Sequence, residues 1–298
     1  MTYSIIGRDR RTGDLGVALQ SYYYGCAPRT LLAEPGVGIV VMQMIPDMMY
    51  GTRGMAQMKD GRAPAAIIQE LISADPARDS RQVAMMSAGG DVAAFTGPGC
   101  IPASGHVIGE DCSAQGAMVE GEEVWQSMAD AFESATGPLP ERMICAMRAG
   151  ESAGGDIRGK RAAAMLVVSS DEPPSWVASR PINIRVDDHP DPLAEVERHL
   201  ALQRHMGAIE LAFERGLGGD VEGAVDEYAR IAQTEPDDPD VTMRYAIMLA
   251  KVGDIVAARE QLLRMSQVHG GWTRVTGRLV AAGLLPDDRQ LLEGLPLY

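Results

Sequence analysis

The chain has 298 residues, enough for two domains that each bury a core. A formal net charge of −14 argues against a nucleic-acid surface, which draws affinity from clustered Lys and Arg, and favours a small polar molecule or a protein as partner. With 46% apolar residues, no apolar run near about 18 residues, and no basic flank with an apolar core at its start, it reads as a soluble cytoplasmic protein without a membrane partner. The cysteines Cys26, Cys100, Cys112 and Cys145 contain no C-x-x-C pair and read as reduced thiols, not as a zinc site or a disulfide framework. Lysine is limited to Lys59, Lys160 and Lys251, so cationic work falls to arginine.

In chain order, residues 2–25 predict two strands and a turn. Ile5, Ile6, Val17 and Leu19 flank Thr12-Gly13-Asp14, whose glycine supplies the positive backbone angle of a tight loop. Such a hairpin can simply seed a sheet. It also places a hydroxyl one methionine from the start of the chain. Once Met1 is removed, which the small Thr2 side chain permits, the free Thr2 amine takes the hydroxyl proton, so nucleophile and base share one residue. An α-amino pKa of about 7.7–8.0 suits that task.

The run 36–44 (GVGIVVMQM) predicts a buried strand, and a helix is expected over 55–59. Between them, Tyr50-Gly51-Thr52-Arg53-Gly54 is expected to bring glycine N–H groups at a helix start toward an anion or oxyanion, with an ordinary turn as the alternative. A second helix is predicted over 63–74, ended by Asp75-Pro76, and strands over 82–86 and 91–96. The stretch 96–118 is dense in small and polar residues. Within it His106 is a candidate acid or base, weighed against a structural hydrogen-bonder, and Cys100 is a weaker nucleophile candidate.

Helices are predicted over 121–135 and 139–149, the latter closed by Gly150. Ala153-Gly154-Gly155-Asp156-Ile157-Arg158-Gly159-Lys160 then leads into a strand over 162–168. Its glycine pair allows close backbone approach, and Asp156 and Arg158 stand at a strand mouth where a substrate carboxylate would sit; a surface turn is the alternative. After a strand over 182–186, Asp187-Asp188-His189 invites a metal reading. The preferred one is that Asp191 caps a helix with Pro192 at its first position and Glu195 in its opening turns.

The motifs T-Y-S-I-I-G-R-D, G-D-L-G-V-A, Y-G-T-R-G-M, A-F-T-G, A-G-G-D-I-R-G-K and R-V-D-D-H-P-D-P occur in an order that resembles the bacterial family called domain of unknown function 1028, over about residues 2–200. The resemblance implies an α+β fold, a four-layer α/β/β/α N-terminal-nucleophile (Ntn) hydrolase-like sandwich over 1–195. It also implies Thr2 as nucleophile, with the strand end at Ser21 and the Tyr50–Gly54 segment lining the same end of the sheets. Ala117 stands where the family tends to have asparagine, and Arg161-Ala162 where a Gln-Ser pair is usual.

Residues 196–298 read differently. Gly219-Asp220 recurs 34 residues later as Gly253-Asp254, with Ala212 on Ala246, Ala224 on Ala258 and Tyr228 on Leu262, the tetratricopeptide period. Helix pairs are expected over 208–215 with 221–234 and 239–251 with 255–268, then a capping helix near 272–282. Two repeats are few, so this small all-α domain is expected to lean on the first domain or another subunit, consistent with a homo-oligomer, or to offer a peptide groove to a protein partner.

Two functions follow. One is an amide hydrolase needing no metal and no cofactor, acting on a small polar or carboxylate-bearing amide, with Thr2 as nucleophile and amine base, and Arg53 or Arg158 holding a substrate carboxylate. The other is a non-catalytic scaffold whose helical repeats serve assembly or protein binding.

Overall fold

The computed structural model describes residues 2–169, 182–268 and 270–295. Met1, on whose removal the nucleophile reading depends, lies outside them. The chain divides into two compact units, Met1–Ala201 and Leu202–Tyr298, each considered by itself.

In the first unit, β1 (Thr2–Arg8) and β2 (Leu15–Ser21) form the expected antiparallel hairpin, with Tyr3 opposite Gln20 and Arg8 opposite Leu15. Its turn is held by the Asp9 carboxylate, which accepts from the Arg11 and Thr12 amides, and by Gly13 at φ 78. Around this hairpin stands a six-stranded sheet. β9 (Ala162–Val168) and β10 (Ile182–Val186) continue it beyond β2; β8 (Cys112–Ala117) and β7 (Ser104–Ile108) continue it beyond β1. A four-stranded sheet has the order β3 (Leu31–Glu34), β4 (Gly38–Met44), β5 (Arg81–Ser87), β6 (Val92–Thr96). All pairings in both sheets are antiparallel.

Strand alternation distributes the core. Tyr3 and Ile5 meet Met128, Phe132, Met143 and Met147 of α4 (Glu123–Ser134) and α5 (Leu139–Ser152). Ile6, Leu15 and Val17 on the other face meet Ile39, Val41, Ala84 and Met86 of the second sheet. Val40, Met42 and Met85 meet Met55, Met58, Ile67 and Leu71 of α2 (Met48–Lys59) and α3 (Pro64–Ala74). Each such fully buried side chain stabilises by about 1.5–3 kcal/mol. The unit is a mixed α+β structure with two antiparallel sheets, and Thr2, in phase with Ser4 and Ile6, faces between them. A short helix, α1 (Ala27–Thr30), follows β2.

Two local expectations are corrected, and one stretch with no predicted element forms strands. α2 begins at Met48, capped by Asp47, whose carboxylate accepts from the Met49 amide, so Gly51 and Gly54 lie inside a helix and not at its mouth. A Cβ on Gly51 would come within 2.5 Å of Leu32, and one on Gly54 within 2.7 Å of Met85; these glycines let the helix settle on the sheet. Gly150 likewise lies within α5, where an added Cβ would strike Met128. Finally, the stretch around 104–117 is two strands. Its glycines weaken the strand signal, yet Gly105 and Gly116 leave the space that the Trp125 ring fills.

In the second part of the chain, α6 (Pro192–Leu217) runs 26 residues, and the division between units falls within it. It starts as expected on Asp191, which accepts from the Ala194 amide at 3.2 Å. A separate helix over 208–215 is not formed. Gly207 costs only about 1 kcal/mol in a helix interior and does not break it. Then come α7 (Val221–Thr234), α8 (Pro239–Lys251) and α9 (Ile255–Ser266). Short helices α10 (Gly270–Thr273), α11 (Val275–Ala281) and α12 (Arg289–Leu292) follow, in place of one capping helix. The two turns 34 residues apart are alike: Gly219 and Gly253 have φ of 110 and 86, and Asp220 and Asp254 cap the next helices through the Gly223 and Ala257 amides. Ala212, Ala224, Tyr228, Ala246, Ala258 and Leu262 all enter one core. Among the described residues no helix is long and apolar enough to cross a membrane.

Candidate functional site

Thr2 is 2% exposed and stands directly opposite Ala117 of β8. It lines a cleft of about 250 Å³ whose walls include Tyr23 from the turn after β2, Arg29 from α1, Gln43 from β4, Ile45 beyond it and Arg158 from the loop before β9. Most of the lining is apolar; the charge comes from the two arginines.

The Asp156 carboxylate builds one wall. Its side chain is fully buried and accepts from the Tyr22 amide at 3.2 Å, the Arg158 amide at 3.0 Å and the Arg158 guanidinium at 2.9 and 2.6 Å. This fork sets the guanidinium plane and ties the turn after β2 to the loop before β9. Gly155 makes it feasible, because at φ 56 a Cβ would sit 2.9 Å from the Glu151 carboxylate. Three consecutive tyrosines then each pack under an arginine: Arg158 lies 5.7 Å from the Tyr22 ring centre, Arg29 5.7 Å from Tyr23 and Arg161 5.6 Å from Tyr24.

Polar side chains continue inward between the sheets. Gln115 donates to the Ser4 hydroxyl at 2.7 Å, and Gln43 donates to Gln82 at 2.8 Å. Gln82 in turn donates to the carbonyls of Gly105 and Gly116 at 3.0 and 2.8 Å, fastening the second sheet to β7 and β8 beside the strand position opposite Thr2. Two methionines take left-handed backbone angles here, Met44 on the cleft wall at φ 65 and Met118 just after Ala117 at φ 58. Side chains of this kind rarely adopt that region, at about 1–3 kcal/mol each, so the surroundings must hold them there.

The model of a family of unknown function, DUF1028, matches residues 2–196. The chain belongs to this family. Its structure is similar to the crystal structure of protein SPO2555 from Silicibacter pomeroyi, also described by the DUF1028 model, with a TM-score of 0.61 and 29% sequence identity over 67% of this chain and 88% of that one. No curated protein matches the chain. The whole cleft lining falls within the DUF1028 match, whereas Leu202–Tyr298 lies outside it.

Of the side chains singled out in the sequence, the DUF1028 unit brings Thr2 and Arg158 together in the cleft, with Asp156 directly behind the arginine. Ser21 is buried at the end of β2, where its hydroxyl accepts from the Tyr23 amide at 3.0 Å and so supports the cleft wall from behind. Tyr50 and Gly51 are buried in α2; the Tyr50 hydroxyl donates to Asp75 at 3.0 Å, and burial raises its pKa. Arg53 is exposed on α2 and does not line the cleft. His106 lies on β7 with Nδ1 2.8 Å from the Thr96 hydroxyl, outside the cleft lining, and burial lowers its pKa. His189 sits beside the Asp191 carbonyl at 2.8 Å, and among the described residues no group of three His, Cys, Asp or Glu is disposed to hold a metal ion. Tyr23, Arg29 and Gln43 were not among the expected site residues. A signal for Gln43 exists: a glutamine within GIVVMQM is a polar group in a strand otherwise fit for burial.

Cys26 also lines the cleft, but burial pushes its thiol up to about 11, and that of Cys112 up to about 12, so both stay protonated at neutral pH. Cys145 is exposed. Iodoacetamide at pH 7.5 is expected to modify Cys145 in the folded protein and to reach Cys26 and Cys112 only after unfolding. Peptide mass spectrometry checks this; rapid native modification of Cys26 would make it a second nucleophile in the cleft.

Proposed function

We propose that the first unit is an Ntn-type amide hydrolase built on an Ntn-hydrolase-like α/β/β/α sandwich. The observation that carries this reading is Thr2 itself, the first residue of the central strand, lining a cleft whose other wall bears arginines. After loss of Met1, the Thr2 hydroxyl attacks the amide carbonyl while the Thr2 amine takes the proton and passes it to the departing nitrogen. Water then cleaves the ester so formed and regenerates the hydroxyl. The substrate is a small carboxylate-bearing amide, its acid group facing Arg29 or Arg158, and neither step calls for a metal or a cofactor. The second unit is a tetratricopeptide-like pair of repeats used for assembly or for holding a protein partner, supported by the matched turns at Gly219 and Gly253.

One feature favours a second reading, a non-catalytic scaffold: the position facing Thr2 across the strand pair is Ala117, which offers no side-chain donor for an oxyanion. Intact-mass measurement separates the two. Protein purified at native expression level is expected to lack Met1 and to release product from a panel of small N-acyl amino acids. Complete retention of Met1 would leave the Thr2 amine blocked, sink the nucleophile mechanism and move the weight to the scaffold reading.

A further inference from the structure

Among the described residues a buried amide oxygen of the cleft lining has no hydrogen-bond partner, and its chemical identity follows from its neighbours. Gln43 is 1% exposed and is among the residues that line the cleft, and among the described residues its Oε1 accepts no hydrogen bond. The Gly105 and Gly116 carbonyls can only accept, so the Gln82 amide atom 3.0 and 2.8 Å from them is its nitrogen. The Gln82 oxygen therefore faces Gln43, and the Gln43 nitrogen donates to it at 2.8 Å. Reversing either amide would set oxygen against oxygen. Gln43 Oε1 is thus held as an acceptor by a chain of bonds that ends in two backbone carbonyls.

The charges of the cleft are also asymmetric. The Arg158 guanidinium is matched by Asp156. Arg29 donates to the Tyr23 hydroxyl at 3.1 Å and packs on that ring, and no carboxylate pairs with it among the described residues. An unmatched cation at one wall and a neutral acceptor at another, joined by apolar surface from Cys26, Ile45 and Pro46, describe a complementary ligand.

We infer that Gln43 is the specificity-determining residue of this cleft: the ligand is a small carboxylate that also carries a neutral N–H donor, the N–H bonding to Gln43 Oε1 and the carboxylate to Arg29. The inference rests on the reading of the cleft as the substrate site and narrows it. Secondary amides and ureido acids fit, whereas esters and N-methylated amides of the same shape leave the buried oxygen unpaired. Because the acceptor is already desolvated, losing the donor is expected to weaken binding about 10- to 100-fold.

The test is binding to the full-length Thr2→Ala protein, so that no probe is consumed. Matched sets of N-acetylglycine and N-acetylleucine, their ester isosteres and their N-methyl derivatives are titrated by saturation-transfer NMR. At least one N–H probe is expected to bind about tenfold or more tightly than its ester and N-methyl counterparts, and Gln43→Met is expected to bring that preference to within about twofold. If Gln43→Met does not fold, the ligand pairs on the unaltered glutamine decide alone. Equal binding within every pair, no binding of any probe at millimolar concentration, or a preference that survives in folded Gln43→Met would each overturn the inference. The two readings fail separately. A clear N–H preference in a protein that, freed of Met1, turns nothing over would support the recognition and sink the hydrolase; amide turnover without any preference would do the reverse.

Discussion

Thr2→Ala, in protein freed of Met1, is expected to lose at least about 10⁴-fold in amide turnover, because one substitution removes the hydroxyl that forms the intermediate. The fold is expected to survive. Among the described residues the Thr2 hydroxyl is not tied into a hydrogen bond, so its loss strands no buried partner, and the strand register of Tyr3 with Gln20 and Gly116 does not depend on it. Thr2→Ser keeps the hydroxyl and is expected to keep measurable turnover. Initial rates on the best N-acyl amino acid, beside circular dichroism melts of all three proteins, supply the comparison. Turnover by the alanine variant within tenfold of wild type would remove Thr2 from the mechanism.

The second large effect concerns stability. Asp75, 5% exposed, accepts from Arg81 at 2.8 Å, from the Tyr50 hydroxyl at 3.0 Å and from the Ala77 amide at 2.8 Å. Arg81 extends the network to the Ile45 carbonyl at 2.7 Å and to Asp47, the cap of α2. Asp75→Ala takes the nearest carboxylate from a buried guanidinium, which keeps only Asp47 and the Ile45 carbonyl, and leaves a buried phenol unpaired, a change that costs up to about 3–5 kcal/mol where one partner of a buried pair is removed. The same network positions Ile45 on the cleft wall, so the variant is also expected to bind cleft ligands less tightly.

The pH dependence has a definite sign. The Arg81 guanidinium holds the Asp75 carboxyl down to about 2, below its ordinary value of 3.8. A carboxylate whose folded pKa is depressed contributes stability above the unfolded value and loses it as pH falls through the folded one. Wild type is therefore expected to lose this increment between about pH 4 and pH 2, and Asp75→Ala to lack that part of the acid transition. Urea melts from pH 7 to pH 2 measure both, and identical acid profiles would show that the pair adds nothing to folding.

Side-chain periodicity and turn chemistry were enough to specify the elements that bury one continuous face. The hairpin of β1 and β2, the apolar runs of β4 and β9, and α3 and α4 were legible because each carries its own pattern in consecutive residues. The 34-residue recurrence at Gly219 and Gly253 was legible for the same reason, since a repeated turn needs the same glycine and the same capping aspartate. What local pattern could not supply was any element whose stability comes from a distant partner. β7 and β8 are strands because Trp125 fills the space above their glycines, and α2 accepts Gly51 and Gly54 because Leu32, Met42 and Met85 press against it.

The site divides along the same line. Thr2, Asp156 and Arg158 could be singled out from the chain because a hydroxyl residue opening the first strand and an Asp-x-Arg fork after two glycines show their pattern within a few residues. Tyr50, Arg53 and His106 looked equally functional in the sequence, and only packing assigned the first to Asp75, the second to the outer surface of α2 and the third to Thr96. Gln43 stands out only in the tertiary structure. Its meaning depends on Gln82, 39 residues away, and on carbonyls of the other sheet, which together decide which end of one amide is bonded and which is left without a partner among the described residues. Local sequence determines which strands and helices can form; the register of strands far apart in the chain decides which of their polar atoms meet.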